Sequence, residues 1–107
     1  MTGEESLQVL IDQLKELLNK EGFVHVYDWH DEPGTTYPPH AHKGEVTIYI
    51  VQGSVTFHFT EPDVHGMQDV PLTFGACFKV PVGREHTATV GPEGCTYVVG
   101  EMIEGDS

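Results

Sequence analysis

At 107 residues and 11.8 kDa the chain is long enough for one hydrophobic core and too short for two. Seventeen acidic against five basic residues give a formal net charge of -12, which opposes binding to nucleic acid and to anionic membrane surfaces. No apolar run approaches the ~20 residues of a membrane span. The first residues are acidic where a secretory leader is basic, and two cysteines, Cys77 and Cys95, make no disulfide framework, so a cytoplasmic protein is expected.

The first predicted element is a helix over residues 4–20. Leu7, Leu10, Ile11, Leu14, Leu17 and Leu18 fall on one stripe, and Glu21-Gly22 supplies the stop. Such a stripe is buried either against the outside of the following β domain or against a second subunit. Residues 1–22 are therefore read as a packing helix and residues 23–107 as a single β domain. Strands are predicted over 23–29, 46–51, 54–60, 70–74, 77–82, 86–90 and 96–102. In residues 54–60, Val55, Phe57 and Phe59 alternate with Thr56, His58 and Thr60, which places the two phenylalanines in the core. Asp31-Glu-Pro-Gly34 and Glu61-Pro-Asp63 carry turn chemistry, Gly91-Pro-Glu-Gly94 reads as a hairpin connection, and residues 101–107 read as a frayed tail. Seven short strands punctuated by Gly and Pro point to an antiparallel sandwich or barrel and argue against βαβ units.

Three histidines in two separated clusters carry the chemistry. His40-Ala41-His42 lies within Gly34-Thr-Thr-Tyr-Pro-Pro-His40, and His86 closes Gly75-Ala-Cys-Phe-Lys-Val-Pro81-Val-Gly83-Arg-Glu-His86. Residues two apart on an extended strand point the same way, so His40 and His42 can grip one ion as a pair. A third imidazole from a distant strand, placed by a Pro and Gly turn, completes the three-nitrogen set that divalent transition metals favour.

These two segments resemble the motifs of the cupin family. Gly34, His40, His42 and Gly53 fall in register with the first cupin motif, and Gly75, Pro81, Gly83 and His86 with the second. The resemblance spans roughly residues 27–99. It implies an all-β fold, a small antiparallel cupin β-barrel of the jelly-roll type preceded by one α-helix, with a divalent metal (Fe, Mn, Ni or Zn) among the inward-facing side chains. The departures are equally informative. The family's glutamate ligand falls at position 46, where this chain has Val46, with Glu45 one residue early; Glu45 is a fourth ligand only if a β-bulge re-aims it. The family's asparagine in the second motif is Val90. Val46, Ile48, Ile50 and Val90 are thus expected to line an apolar cavity beside His40, His42 and His86.

Two functional readings follow. In the first, the chain is an enzyme acting on a small organic molecule at a three-histidine metal site, resembling cupin dioxygenases or the isomerases and cyclases of the family, with Tyr37, Tyr49 and Glu101 as candidate acids or bases. In the second, the same pocket holds a small ligand or metal without turnover and acts through a protein partner. His25, His30, His58 and His65 lie outside the motif register and read as surface or hydrogen-bonded residues, and Cys77 as a small buried hydrophobe. Small cupins are commonly dimers, and a twofold homodimer is the expected assembly.

Overall fold

A computed structural model of the chain describes residues 2–62, 66 and 68–106. His65 and Asp63 of the sequence reading lie outside the described residues. The chain forms α1 (Gly3–Lys20) and six strands: β1 (His25–Asp31), β2 (Thr36–His40), β3 (Val46–Phe59), β4 (Asp69–Thr73), β5 (Cys77–Val80) and β6 (His86–Glu101). Among the described residues, no helix is long and apolar enough to cross a membrane.

The helix begins with a capping box. The Thr2 hydroxyl accepts from the Glu5 backbone N–H at 3.2 Å, while the Glu5 carboxylate accepts from the Thr2 N–H at 3.3 Å. Its apolar stripe covers the outer face of the sheet, where Leu7, Leu10, Ile11, Leu14 and Leu18 pack against Phe23, Val26, Tyr49, Val51 and Val98. Leu17 falls off the stripe and is exposed.

All pairings are antiparallel, in the order β1-β6-β3-β4, with β2 also on β6 and β5 also on β3. Strands β3 and β6 form the spine of the barrel, pairing along almost their whole lengths from Val46 opposite Glu101 to Phe59 opposite His86. Alternation within each half of β3, reset by the register shifts between Ile50 and Val55, sends Val46, Ile48, Ile50, Val55, Phe57 and Phe59 into the barrel core. On the first half of β3 the other face is buried too, with Thr47 in the sheet and Tyr49 and Val51 under α1, which accounts for the unbroken apolar run there.

Two strand predictions merge in each of β3 and β6, and the expected Gly91–Gly94 hairpin is overturned. Residues 91–94 instead form a bulge within β6, four residues opposite Ser54 alone on β3, so the strand bends and continues. Glycines allow the crossing. Gly53 has φ +77°, and a Cβ on it would lie 2.0 Å from the Gly94 carbonyl oxygen. The sequence reading also passes over β2, whose Thr-Tyr-Pro-Pro-His run lacks two backbone donors; it is tolerated because β2 pairs on one side only, with β6.

Candidate metal centre

The two strand ends that carry the histidines are brought together by register. His40 at the end of β2 stands directly opposite His86 at the start of β6. His42 lies just beyond β2 in the loop before β3, so the loop, and not simple strand alternation, turns it inward. Two contacts fix that loop. The Gly83 N–H of the Pro81-Val82-Gly83 turn donates to the His42 carbonyl at 2.9 Å. From the far end of the chain, the Asp106 carboxylate accepts from the backbone N–H groups of Lys43 and Gly44 at 2.9 Å each. Those donors, opposed by partial burial, lower the Asp106 carboxyl pKa below its usual range. Asp106, in the stretch expected to fray, is therefore docked on the site.

One nitrogen from each of His40, His42 and His86 lies within 4.8 Å of the others. The ring centroids are 4.5 Å apart for His40 and His86, 5.0 Å for His40 and His42, and 5.2 Å for His42 and His86. Every Nδ1 faces a backbone carbonyl: His40 donates to Pro38 at 2.8 Å, His42 to Asp106 at 2.5 Å and His86 to Arg84 at 2.9 Å. With Nδ1 protonated in each ring, each Nε2 is left with a free lone pair, the tautomer in which imidazole ligates a metal. The donor set thus fits a divalent ion.

His86 is the most constrained of the three. It is 1% exposed, stacks on Phe57 at 5.4 Å and an interplanar angle of 10°, and touches Phe59, over which the Arg84 guanidinium lies at 4.4 Å. Burial, together with the neighbouring His40, His42 and Arg84, holds its pKa below the ordinary value, against the Arg84 carbonyl that raises it. Unfolded, His86 takes up a proton near pH ~6.5; folded, only at lower pH. Its contribution is full above about pH 6.5 and is lost as pH falls toward the lower folded value. The Tm of the metal-free protein is therefore expected to drop between about pH 7 and pH 5, and to drop less in His86→Asn, when both are followed by thermal scans. Equal slopes would remove His86 as the cause.

The three histidines open into a cavity of about 570 Å³. Val46 and Ile48 line it. Ile50 and Val90 do not reach its wall: they are buried in the barrel core next to the β3–β6 register shifts, Ile50 on one side of them and Val90 on the other. Glu45 is exposed and stands outside the histidine cluster, because Val46 and not Glu45 takes the inward position at the start of β3. Tyr37 and Glu101 line the cavity, whereas Tyr49 faces α1 on the other side of β3, opposite an exposed Cys77.

The sequence reading missed much of the remaining wall. His25, Tyr27 and Trp29 on β1 and Tyr97 and Val99 on β6 all line the cavity. Their spacing of two along each strand was the available signal. His30 and His58 are hydrogen-bonded away from the site, His30 to Thr96 at 2.8 Å and His58 to Asp69 at 2.9 Å.

The cupin domain family model matches residues 27–100. No curated protein matches the chain. Among solved structures, the chain is similar to oxalate decarboxylase of Bacillus subtilis, a protein with Mn(II) centres, at 21% identity and a TM-score of 0.62, over 77% of this chain and 22% of that one. It is also similar to the polyketide cyclase RemF of Streptomyces resistomycificus (22% identity, TM-score 0.59, 73% and 54% covered). A third is the DMSP lyase DddQ of Ruegeria pomeroyi (21% identity, TM-score 0.61, 77% and 39% covered). These likenesses are of fold, and the chain spans 54% or less of each of the three.

Proposed function

The chain belongs to the cupin family, and from that premise we propose that it is a metal-dependent enzyme acting on a small organic molecule at a divalent ion held by His40, His42 and His86. The observation that carries the reading is the convergence of three Nε2 lone pairs, each fixed by a carbonyl behind its ring, at the edge of a cavity of about 570 Å³. A bound ion would supply Lewis acidity and, if redox-active, a route to oxygen chemistry, with positions beyond the three nitrogens left for substrate. The chain's own part is to orient and shield. Val46, Ile48, Val55 and Phe57 give the substrate a dry surface, and Glu101 is the buried carboxylate that lines the same space. Reaction classes consistent with this composition are oxygenation, isomerisation or cyclisation; a fold shared with a decarboxylase, a cyclase and a lyase supports small-molecule chemistry without choosing among them. The proposal includes a cytoplasmic homodimer, which would cover exposed apolar side chains such as Val24 and Phe74.

Elemental analysis of tag-free protein tests it. One divalent ion per chain is expected in the wild type, retained in full by Glu45→Ala. Loss of the ion in Glu45→Ala would overturn the three-histidine site, and no ion after reconstitution with Fe, Mn, Ni and Zn would overturn the metal centre itself.

A further inference from the structure

One wall of the cavity is built from alternate residues of two paired strands. On β1 these are His25, Tyr27 and Trp29; on β6 they are Tyr97, Val99 and Glu101, with His25 opposite Glu101 and Trp29 opposite Tyr97. Two buried carboxylates serve this wall: Glu101, 1% exposed, lines the cavity itself, and Asp31, 7% exposed, lies two residues beyond Trp29 on β1, off the cavity surface. The polar atoms of the aromatic side chains all turn to them. The Trp29 Nε1–H donates to Asp31 at 3.0 Å, the Tyr37 hydroxyl at 2.6 Å, and the Tyr97 hydroxyl donates there as well. The Tyr27 hydroxyl donates to Glu101 at 3.0 Å, and His25 Nδ1 lies 3.0 Å from the same carboxylate.

Two consequences follow for whatever enters. An anionic or carbonyl group would find no free donor on this wall, since the phenol and indole hydrogens are already committed, and among the described residues no lysine or arginine lines the cavity. What the wall presents instead is ring surface backed by buried negative charge. Phenol and indole groups that donate to carboxylates carry more electron density in their rings, which strengthens the attraction of a ring face for a cation. Neither Asp31 nor Glu101 is paired with a lysine or arginine among the described residues, so the β1–β6 wall carries negative charge in a low-dielectric setting, and a divalent ion at the histidines would place its positive charge at the other side of the same cavity.

We propose that the β1–β6 wall binds a small organic cation of the alkylated ammonium type, held by Tyr27, Trp29 and Tyr97 and by the charge of Asp31 and Glu101. Resting on the metal reading of the histidine cluster, the substrate is then a small zwitterion or a chelating molecule with a cationic head, its metal-binding group at His40, His42 and His86 and its cationic end on the aromatic wall.

The probes are choline and its uncharged isostere 3,3-dimethylbutan-1-ol, titrated at constant ionic strength while the fluorescence of Trp29, the sole tryptophan, and the Tm are followed. Bound metal is quantified on the same samples. Choline is expected to bind the wild type about tenfold or more tightly than the isostere. That preference shrinks toward unity in Glu101→Gln, and also in Trp29→Leu, read by Tm shift; Trp29 is 53% exposed, so its replacement leaves the fold intact should Glu101→Gln not fold. Equal binding of the two probes, binding of neither, or a preference untouched in both variants would overturn the inference. A choline preference in protein that takes up no metal upholds the cation site while overturning the metal reading; full metal content without the preference overturns the cation site alone.

Discussion

Alanine in place of His40 is expected to lower the affinity for the divalent ion at least about a hundredfold while leaving the metal-free fold at its wild-type Tm. Losing an outer-shell partner of a ligand already costs about 10–100-fold, and His40→Ala removes the ligand itself, leaving two nitrogens from opposite sides of the site. The fold is spared because His40 is only half-buried at the end of β2, and its single side-chain hydrogen bond among the described residues is to the carbonyl of Pro38, two residues away. His86→Ala is the instructive contrast. Its ring is 1% exposed between Phe57 and Phe59, so its removal empties a core position as well as the site, and the Tm of the metal-free protein should fall with the affinity. Competition with a chelator measures the first quantity and thermal unfolding of the metal-free protein the second. If His40→Ala kept wild-type affinity, the three nitrogens would not be acting as one donor set.

The second large effect is on the fold. Gly53→Ala is expected to destabilise the protein by roughly 2–6 kcal/mol, the sum of left-handed backbone strain and overpacking, and so to lower Tm by about 10 °C or more. At φ +77° a Cβ would lie 2.0 Å from the Gly94 oxygen and 2.8 Å from its carbonyl carbon, and neither can move aside because both belong to the β6 backbone. Gly34→Ala is the control. It has a similar φ of +76° with nothing within 4 Å of the added carbon, so it carries the strain without the clash and should cost about 1–2 kcal/mol. Denaturant titration of both variants separates the two contributions; equal losses would mean that the close crossing of β3 and β6 is not what requires a glycine at position 53.

The same crossing explains why some of the fold could be read from the chain and some could not. The helix and the alternation of Val55, Phe57 and Phe59 are local signals, carried by spacing alone, and the structure reproduces them. The motif histidines were legible for a related reason: each stands beside short-range punctuation, a strand end or a Pro and Gly turn, although the contacts that orient His42 come from Gly83 and Asp106, distant in sequence. Glycine at 53, 91 and 94 reads locally as a turn, yet here it serves contact between strands distant in sequence, and only pairing partners distinguish the two uses. Val46 illustrates the opposite case. Counting residues set it on the inner face and Glu45 outside it, as observed, but no count along β3 could show that Glu101, its partner across the sheet, brings a carboxylate to the wall beside it. Asp31 and Asp106 were missed on the same ground, since their partners Tyr97 and His42 lie 66 and 64 residues away.

That last separation bears on how the protein is made. His40 and His42 leave the ribosome early, as a close pair able to take up any available ion. The carbonyl that aims the His42 ring, however, and the carboxylate that pins its loop, come from Asp106, which emerges only after all of β6. During synthesis the early pair therefore has neither its third partner nor its orientation. On the proposed metal reading, selective loading would follow closure of the barrel and would not guide its folding.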